Sequence, residues 1–397
     1  MSDLSADSAL AAPESVGLSA RALDRFGAVL EREIAAGRAP GATLAIVRNG
    51  KLGLAQAFGA LRPDGPPMPL DALFRIYSMT KPIVSVAAMT LVEEGRLFLT
   101  DPVSNFIPAF AQTKVGIPDG DGLRLVQPRR PILVHDLLRH TSGLCYGFTG
   151  ASAVQRVIQS QRLIDASLEA AAAIEAIAAA PLMHEPGSAW EYGLSTDVLG
   201  RIVEIVADAS LGEVLAERIF EPLGMRDTAF FTSPDKRERR AEPFGFDALD
   251  AVGIDRMNQE APPNFEMGGT GLISTLPDYV RFCAMLAGGG ALDGARILGP
   301  RTLALMASNH LSRDTAIQDT PLMPPGHGFG LGFAVRVAPG LAPTAGAVGD
   351  YFWGGVAGTA FVVSPAQDMF AVLMVQAPEY REHFRNLFRN LLGAALL

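Results

Sequence analysis

Two hairpin signals sit at opposite ends of this chain, and any fold it adopts has to reconcile them. Near the N-terminus, Ala42–Val47 is strand-like, Arg48-Asn49-Gly50-Lys51 is a tight turn of the Asn-Gly kind, and Leu52–Phe58 returns. Near the C-terminus, Thr359–Val363 and Met369–Val375 flank the turn Ser364-Pro365-Ala366-Gln367-Asp368. Amphipathic helices bracket the pair. Ser19–Ala36 carries Leu23, Phe26, Val29, Leu30 and Ile34 on one face with Ser19 as N-cap, and Glu379–Leu396 carries Phe384, Leu387, Phe388, Leu391 and Leu392 at helical spacing. The middle reads as helix over Ser167–Ala180, Asp197–Ala207 and Leu211–Ile219. The simplest arrangement is an α+β fold: an antiparallel sheet built from both chain ends, flanked by helices, with a mostly helical lobe inserted. The expected division is 1–80 with 225–397 as a discontinuous α/β domain and 81–224 as the lobe, with the active site in the cleft between them. Pro/Gly-rich stretches at Pro63–Pro69, Gly116–Gly122 and Ala261–Gly271 read as loops bordering that cleft.

Composition narrows the function. The chain has 397 residues, 49% of them apolar and 19% charged, as in a compact enzyme. A net charge of −9 argues against a phosphate-backbone partner, and the densest basic patch, Lys236–Arg240, contains Glu238 and reads as a solvated loop. Cys145 and Cys283 are far apart and in no metal or redox spacing, so two free thiols are expected. Asp3, Asp7 and Glu14 stand where a secretory leader would be basic and then apolar, and no apolar run is long enough to span a membrane. These features predict a cytoplasmic protein with no membrane or nucleic-acid partner, no cofactor and no metal, its oligomeric state left open.

The chemistry concentrates at Ser78-Met79-Thr80-Lys81, followed by an apolar helical run from Ile83 to Val92 that stops at Gly95. In a first helical turn Lys81 lies on the same face as Ser78, and Pro82 is tolerated there. A serine hydroxyl needs a base within hydrogen-bond reach, and a lysine serves only where burial or a cation lowers its pKa. Alone, the same four residues also describe an N-cap serine followed by an exposed lysine.

The wider pattern separates these readings. Leu73-Phe74-Arg75-Ile76-Tyr77 leads into Ser78. In order follow Leu137-Leu138-Arg139-His140-Thr141-Ser142-Gly143-Leu144, Glu185-Pro186-Gly187-Ser188-Ala189-Trp190-Glu191-Tyr192 and Pro222-Leu223-Gly224-Met225. Then come Gly268-Gly269-Thr270-Gly271-Leu272-Ile273-Ser274-Thr275, Gly328-Phe329-Gly330-Leu331-Gly332-Phe333 and Trp353-Gly354-Gly355. From about Leu18 onward this set resembles the class C β-lactamase superfamily, and more closely its esterase branch, the family VIII carboxylesterases. The resemblance implies Ser78 as acyl acceptor, Lys81 beside it, and Tyr192 as the tyrosine that shuttles a proton between nucleophile and leaving group. It also implies Trp353-Gly354-Gly355 as the third motif on a strand edge lining the cleft, and an oxyanion hole from the amides of Ser78 and Val356. Small residues in that motif let backbone approach substrate.

Two positions depart from the β-lactamase pattern. Trp353 stands where those enzymes have a lysine suited to an antibiotic carboxylate. Leu194 closes Tyr192-Gly193-Leu194 where they have an asparagine. Both substitutions offer apolar surface and point to short neutral esters as the small-molecule substrate. An acyltransferase, a weak β-lactamase or a D-amino-acid peptidase would use the same acyl-enzyme, and a non-catalytic binding relative is the reading from another class. No serine sits in G-x-S-x-G, where Gly193-Leu194-Ser195 is nearest and Asp197 spoils it. His135 and His140 flank Asp136 in a helix-like stretch that reads as packing or capping rather than a triad.

Overall fold

The computed structural model of the chain describes residues 10–120, 122–161, 163–244, 261–317 and 322–397. The largest sheet has seven strands: β1 (Gly41–Arg48), β2 (Lys51–Gly59), β3 (His327–Phe329), β4 (Ala334–Arg336), β5 (Tyr351–Gly354), β6 (Ala360–Ser364) and β7 (Met369–Val375). Their order is β3-β4-β5-β6-β7-β1-β2, antiparallel throughout. The two predicted hairpins meet at its centre, where β1 pairs with β7 from Ala42↔Val375 to Arg48↔Met369. Asn49 and Gly50 both have positive φ, +52° and +67°, as a two-residue hairpin turn demands.

Helix α1 (Ala20–Ala35) starts at Ser19, whose Oγ accepts the Ala22 amide at 3.3 Å. Helix α2 spans Thr80–Glu93, α3 Ser195–Ala207, α4 Leu276–Ala287 and α5 Arg381–Ala395. α1 and α5 pack together through Phe26 and Phe388, ring centroids 6.5 Å apart. α4 meets the sheet through Tyr279 against Phe361, whereas α5 and Val362 line a common cavity. Adjacent strand residues point to opposite sides, so α4 and α5 cover opposite faces. Helix α2 is mostly apolar and buried on every side, with each side chain from Thr80 to Leu91 buried and α3 packed against it.

Three expectations need correction. The Gly116–Gly122 stretch is not all loop: Val115–Asp119 pairs with Gly122–Val126 as a two-stranded ribbon. Its second strand is mostly exposed, so no alternation of apolar residues announced it. The helix read over Leu211–Ile219 is α-helical only to Leu215, then passes through a π-helical turn over Ala216–Phe220. The basic patch is not merely solvated. Residues Pro234–Arg239 form a 3₁₀ helix, in which Lys236 and Arg239 both pair with Asp227 at 2.8 Å and Arg239 also reaches Asp71. Cys145 and Cys283 are buried free thiols. No helix among the described residues is long and apolar enough to cross a membrane, and residues 1–9, which hold part of the N-terminal segment read above, lie outside them.

Candidate active site

Ser78 sits in a short 3₁₀ turn, Tyr77–Met79, that runs directly into α2. The preceding Tyr77 has φ +44°, a left-handed conformation that costs an aromatic residue about 1–3 kcal/mol. That kink turns the chain from the extended Phe74–Arg75 segment, paired with Ile273–Ser274, into the helix and presents Ser78 at its start. Lys81 is 0% exposed, which disposes of the exposed-lysine reading. Its Nζ donates to Ser78 Oγ at 3.3 Å, Tyr146 Oη at 3.1 Å and the Gly269 carbonyl at 2.7 Å.

Tyr192 also packs against Lys81, with Nζ 4.6 Å from its ring centroid, and its ring lies 5.6 Å from that of Tyr146. The lysine thus meets Tyr192 through the ring face, and Tyr146 through its hydroxyl and, at 5.4 Å from the centroid, its ring. The Tyr192 hydroxyl accepts instead from Trp353 Nε1 at 3.1 Å. Sequence reasoning missed Tyr146, which follows the His140–Leu144 motif without belonging to it. Burial, and then the fields of Asp197 and Tyr192, raise its phenol well above the usual tyrosine value, so it stays neutral.

Asp197 closes the floor. Its Oδ1 accepts the Gly269 amide at 2.9 Å, and Gly269 in turn gives its carbonyl to Lys81. Burial pushes the Asp197 carboxyl upward, against the pull of the Lys81 charge and of the Gly269 amide. His140 packs 4.8 Å from the Tyr192 ring; burial, reinforced by Lys81, drives its imidazole far down and keeps it neutral. Asp136 belongs to no triad. It holds Arg130, Arg139 and Thr141 and caps the Leu133 amide, while His135 Nε2 lies 2.9 Å from His310 Nδ1.

Strand β5 pairs with β4 only as far as Phe352, so Trp353 and Gly354 have a strand partner on the β6 side alone. The two glycines that follow Trp353 have neighbours the sequence did not reveal. A Cβ at Gly354 would come within 2.8 Å of Arg385 Nε, and one at Gly355 within 2.5 Å of the Ile76 carbonyl. Both glycines make room for neighbouring protein atoms. Arg385, reaching in from α5, donates to the Gly355 carbonyl at 2.5 Å and to Glu382 Oε1 at 2.7 Å. The Gly355 carbonyl also accepts the Gly358 amide at 2.9 Å, fixing the turn that carries Val356.

Leu194 is 1% exposed and belongs to the core, so its side chain offers a ligand almost no surface. The apolar residues beside Ser78 are others: Tyr77 and Ala357 cluster with half-buried Phe148, Ile164 and Val356. Phe148 stacks on Tyr146 at 5.0 Å.

The beta-lactamase family profile matches residues 26–395. The Mycobacterium tuberculosis protein Rv1367c is 38% identical over 322 residues, covering 79% of each chain. Esterase EstB of Burkholderia gladioli is 32% identical over 384 residues, covering 91% of this chain and 92% of its own. Among solved structures, EstCE1, titled a hydrolase with promiscuous acyltransferase activity, superimposes with a TM-score of 0.79 at 27% identity over 94% of this chain and 99% of that one.

Proposed function

The chain belongs to the beta-lactamase family, and on that premise we propose that it is a serine carboxylesterase of the family VIII type, cleaving short-chain neutral esters through an acyl-enzyme on Ser78. The observation that carries the reading is the fully buried Lys81, with Nζ 3.3 Å from Ser78 Oγ. In the proposed cycle Ser78 Oγ attacks the ester carbonyl, and its proton passes to the Lys81–Tyr192 side of the site. The amides of Ser78 and Val356 hold the developing oxyanion, each donor being worth about 3 kcal/mol. The C–O bond to the leaving alcohol then breaks and that alcohol takes up the proton. Water repeats the sequence in reverse and releases the acid.

Lys81 and the Ser78 hydroxyl come from the start of α2, Tyr146 and Tyr192 from the helical stretch, and Trp353 from the sheet. This distribution supports the proposed division into 1–80 with 225–397 and a lobe of 81–224, with the site between. The half-buried cluster of Phe148, Ile164 and Val356, and Trp353 in the lysine's place, support a neutral apolar acyl group. Trp353 does this from beside Tyr192, to which its indole is tied. Buried free thiols fit a cytoplasmic location, which belongs to the same reading.

The test is Ser78→Ala. It is expected to abolish hydrolysis of p-nitrophenyl butyrate and labelling by a fluorophosphonate probe while the melting temperature stays within a few degrees. Full activity in the folded variant would remove the basis of the proposal. A second reading, acyl transfer, is supported by the likeness to EstCE1, titled a hydrolase with promiscuous acyltransferase activity. Adding an alcohol acceptor and measuring ester formed against acid released separates the two.

A further inference from the structure

A cavity of about 230 Å³ lies behind the sheet, between α5, the β4–β5 connection and the β6–β7 turn. Its wall combines Arg336, Arg389 and Asp350 with Phe352, Met369 and Leu392. The charged groups are not equivalent. Arg336 is 3% exposed, and its guanidinium is held by the Thr344 carbonyl at 2.8 Å and by the Thr344 hydroxyl and Ala345 carbonyl, both at 3.1 Å. Asp350 is near enough to offset its charge, and is itself fixed by Ser364 Oγ at 2.6 Å and the Ala347 amide at 2.8 Å.

Arg389 has no such partner. Its guanidinium carbon lies 3.8 Å from the Phe352 ring centroid, and it makes no hydrogen bond or ion pair among the described residues. Its helix neighbour Arg385 is taken up by Glu382 and Gly355. The positive field is felt around the cavity: burial, together with Arg389 and Arg336, pushes the His327 imidazole down to about 4.

We propose that this cavity binds a small organic monocarboxylate, its carboxylate on Arg389 and its apolar body against Phe352, Met369 and Leu392. The charge count sets the class. With Arg336 balanced by Asp350, one cation remains uncompensated, which suits a monoanion better than a phosphate dianion. A guanidinium stacked by its face on an aromatic ring keeps its edge N–H groups free, the geometry that grips a planar carboxylate with two parallel bonds. An apolar cavity of roughly 150 Å³ accepts benzene, so this one has room for a benzoate-sized body. The site faces away from Ser78 and does not depend on the proposed esterase reaction: Phe352 and Trp353 are consecutive strand residues on opposite faces of β5.

Isothermal titration of the full chain with benzoate, benzamide and inorganic phosphate tests it. Benzoate is expected to bind at least tenfold more tightly than either of the others. Arg389→Met is expected to lower benzoate affinity at least tenfold, and Arg389→Lys to restore part of it. Any benzoate taken up near Ser78 persists in Arg389→Met, so the difference between wild type and variant reports the cavity alone. Equal affinity for benzoate and benzamide, phosphate binding as tight as benzoate, or unchanged affinity in Arg389→Met would each overturn the proposal. Should Arg389→Met prove too unstable to titrate, Val362→Trp fills the cavity and leaves both guanidiniums in place. It is expected to lose benzoate binding, and unaltered binding there overturns the proposal as well.

Discussion

Lys81 Nζ is held by three acceptors, Ser78, Tyr146 and the Gly269 carbonyl. A hydrogen bond to a charged group is worth about 1.5–3 kcal/mol. Tyr146→Phe is therefore expected to lower kcat for p-nitrophenyl butyrate by roughly ten- to a hundredfold. If Tyr146 works by holding Lys81, it has nothing left to do once the lysine is gone. Lys81→Ala and Lys81→Ala/Tyr146→Phe should then share one residual rate. A further full loss in the double variant would show that Tyr146 acts elsewhere. Arg385 makes a parallel case at the other end of the site. The carbonyl it binds and the Val356 amide belong to one peptide unit, so a guanidinium on the oxygen polarises the N–H toward an oxyanion. Arg385→Met is expected to reduce kcat about tenfold with little change in KM, and Arg385→Lys to recover part of the loss. An increase in KM alone would assign Arg385 to substrate binding.

Between residue and fold lie the elements that aim these groups. The short helix Val134–Leu138 leads into His140 and Thr141, and its Asp136 is buried among Arg130, Arg139 and the Leu133 amide. Burial alone would raise that carboxyl; Arg130, the Leu133 amide and Thr141 outweigh it and hold it below its ordinary 3.8. A carboxyl depressed in the folded state contributes stability above its unfolded pKa and loses it as pH falls through the folded one. The melting temperature is thus expected to drop steeply below about pH 4. Asp136→Asn should be less stable by a few kcal/mol at neutral pH and show a flatter acid limb, because a buried pair broken on one side is costly. An acid limb of unaltered slope would remove Asp136 from that role. The elements themselves were legible where a side-chain pattern marked them: the Asn-Gly hairpin, the amphipathic first and last helices and the apolar run Ile83–Val92 of α2. The exposed ribbon at Val115–Val126 had no such period. Of the cluster that the fold assembles around Lys81, the members carried by short contiguous motifs could be named in advance, namely Ser78, Lys81, Tyr192 and Trp353. Tyr146 and Arg385 could not, because tertiary packing alone brings them from 65 residues beyond Lys81 and 30 beyond Gly355. Leu194 was assigned to substrate from its place in a triplet, yet the start of α3 turns it into the core.

At the scale of the whole molecule, substrate choice is a question of charge as well as shape. The chain carries a net charge of −9, and Arg385, which reaches the third motif from behind, is already engaged by Gly355 and Glu382. An antibiotic carboxylate would lose its hydration here without the lysine that family relatives of the β-lactamase type place at the Trp353 position. An apolar acyl chain instead gains roughly 25 cal/mol for each Å² removed from water against Phe148, Ile164 and Val356. For short neutral esters kcat/KM is expected to exceed that for benzylpenicillin by about three orders of magnitude, or roughly 4 kcal/mol. A side-by-side panel of p-nitrophenyl esters, benzylpenicillin and a chromogenic cephalosporin decides it. Comparable rates for penicillin and the best ester would make the protein a β-lactamase.

The pairing of β1 with β7 also sets a timetable for biosynthesis. Strand β1 is buried along nearly its whole length, and the partner for one of its edges begins only at Met369. About 320 residues must leave the ribosome between the two, which at 5–20 residues per second takes roughly 15–60 s. Throughout that interval the β1–β2 hairpin holds a sticky apolar edge open. The central pairing of the sheet is therefore long delayed behind the synthesis of β1, an interval in which chaperones that guard such edges can act.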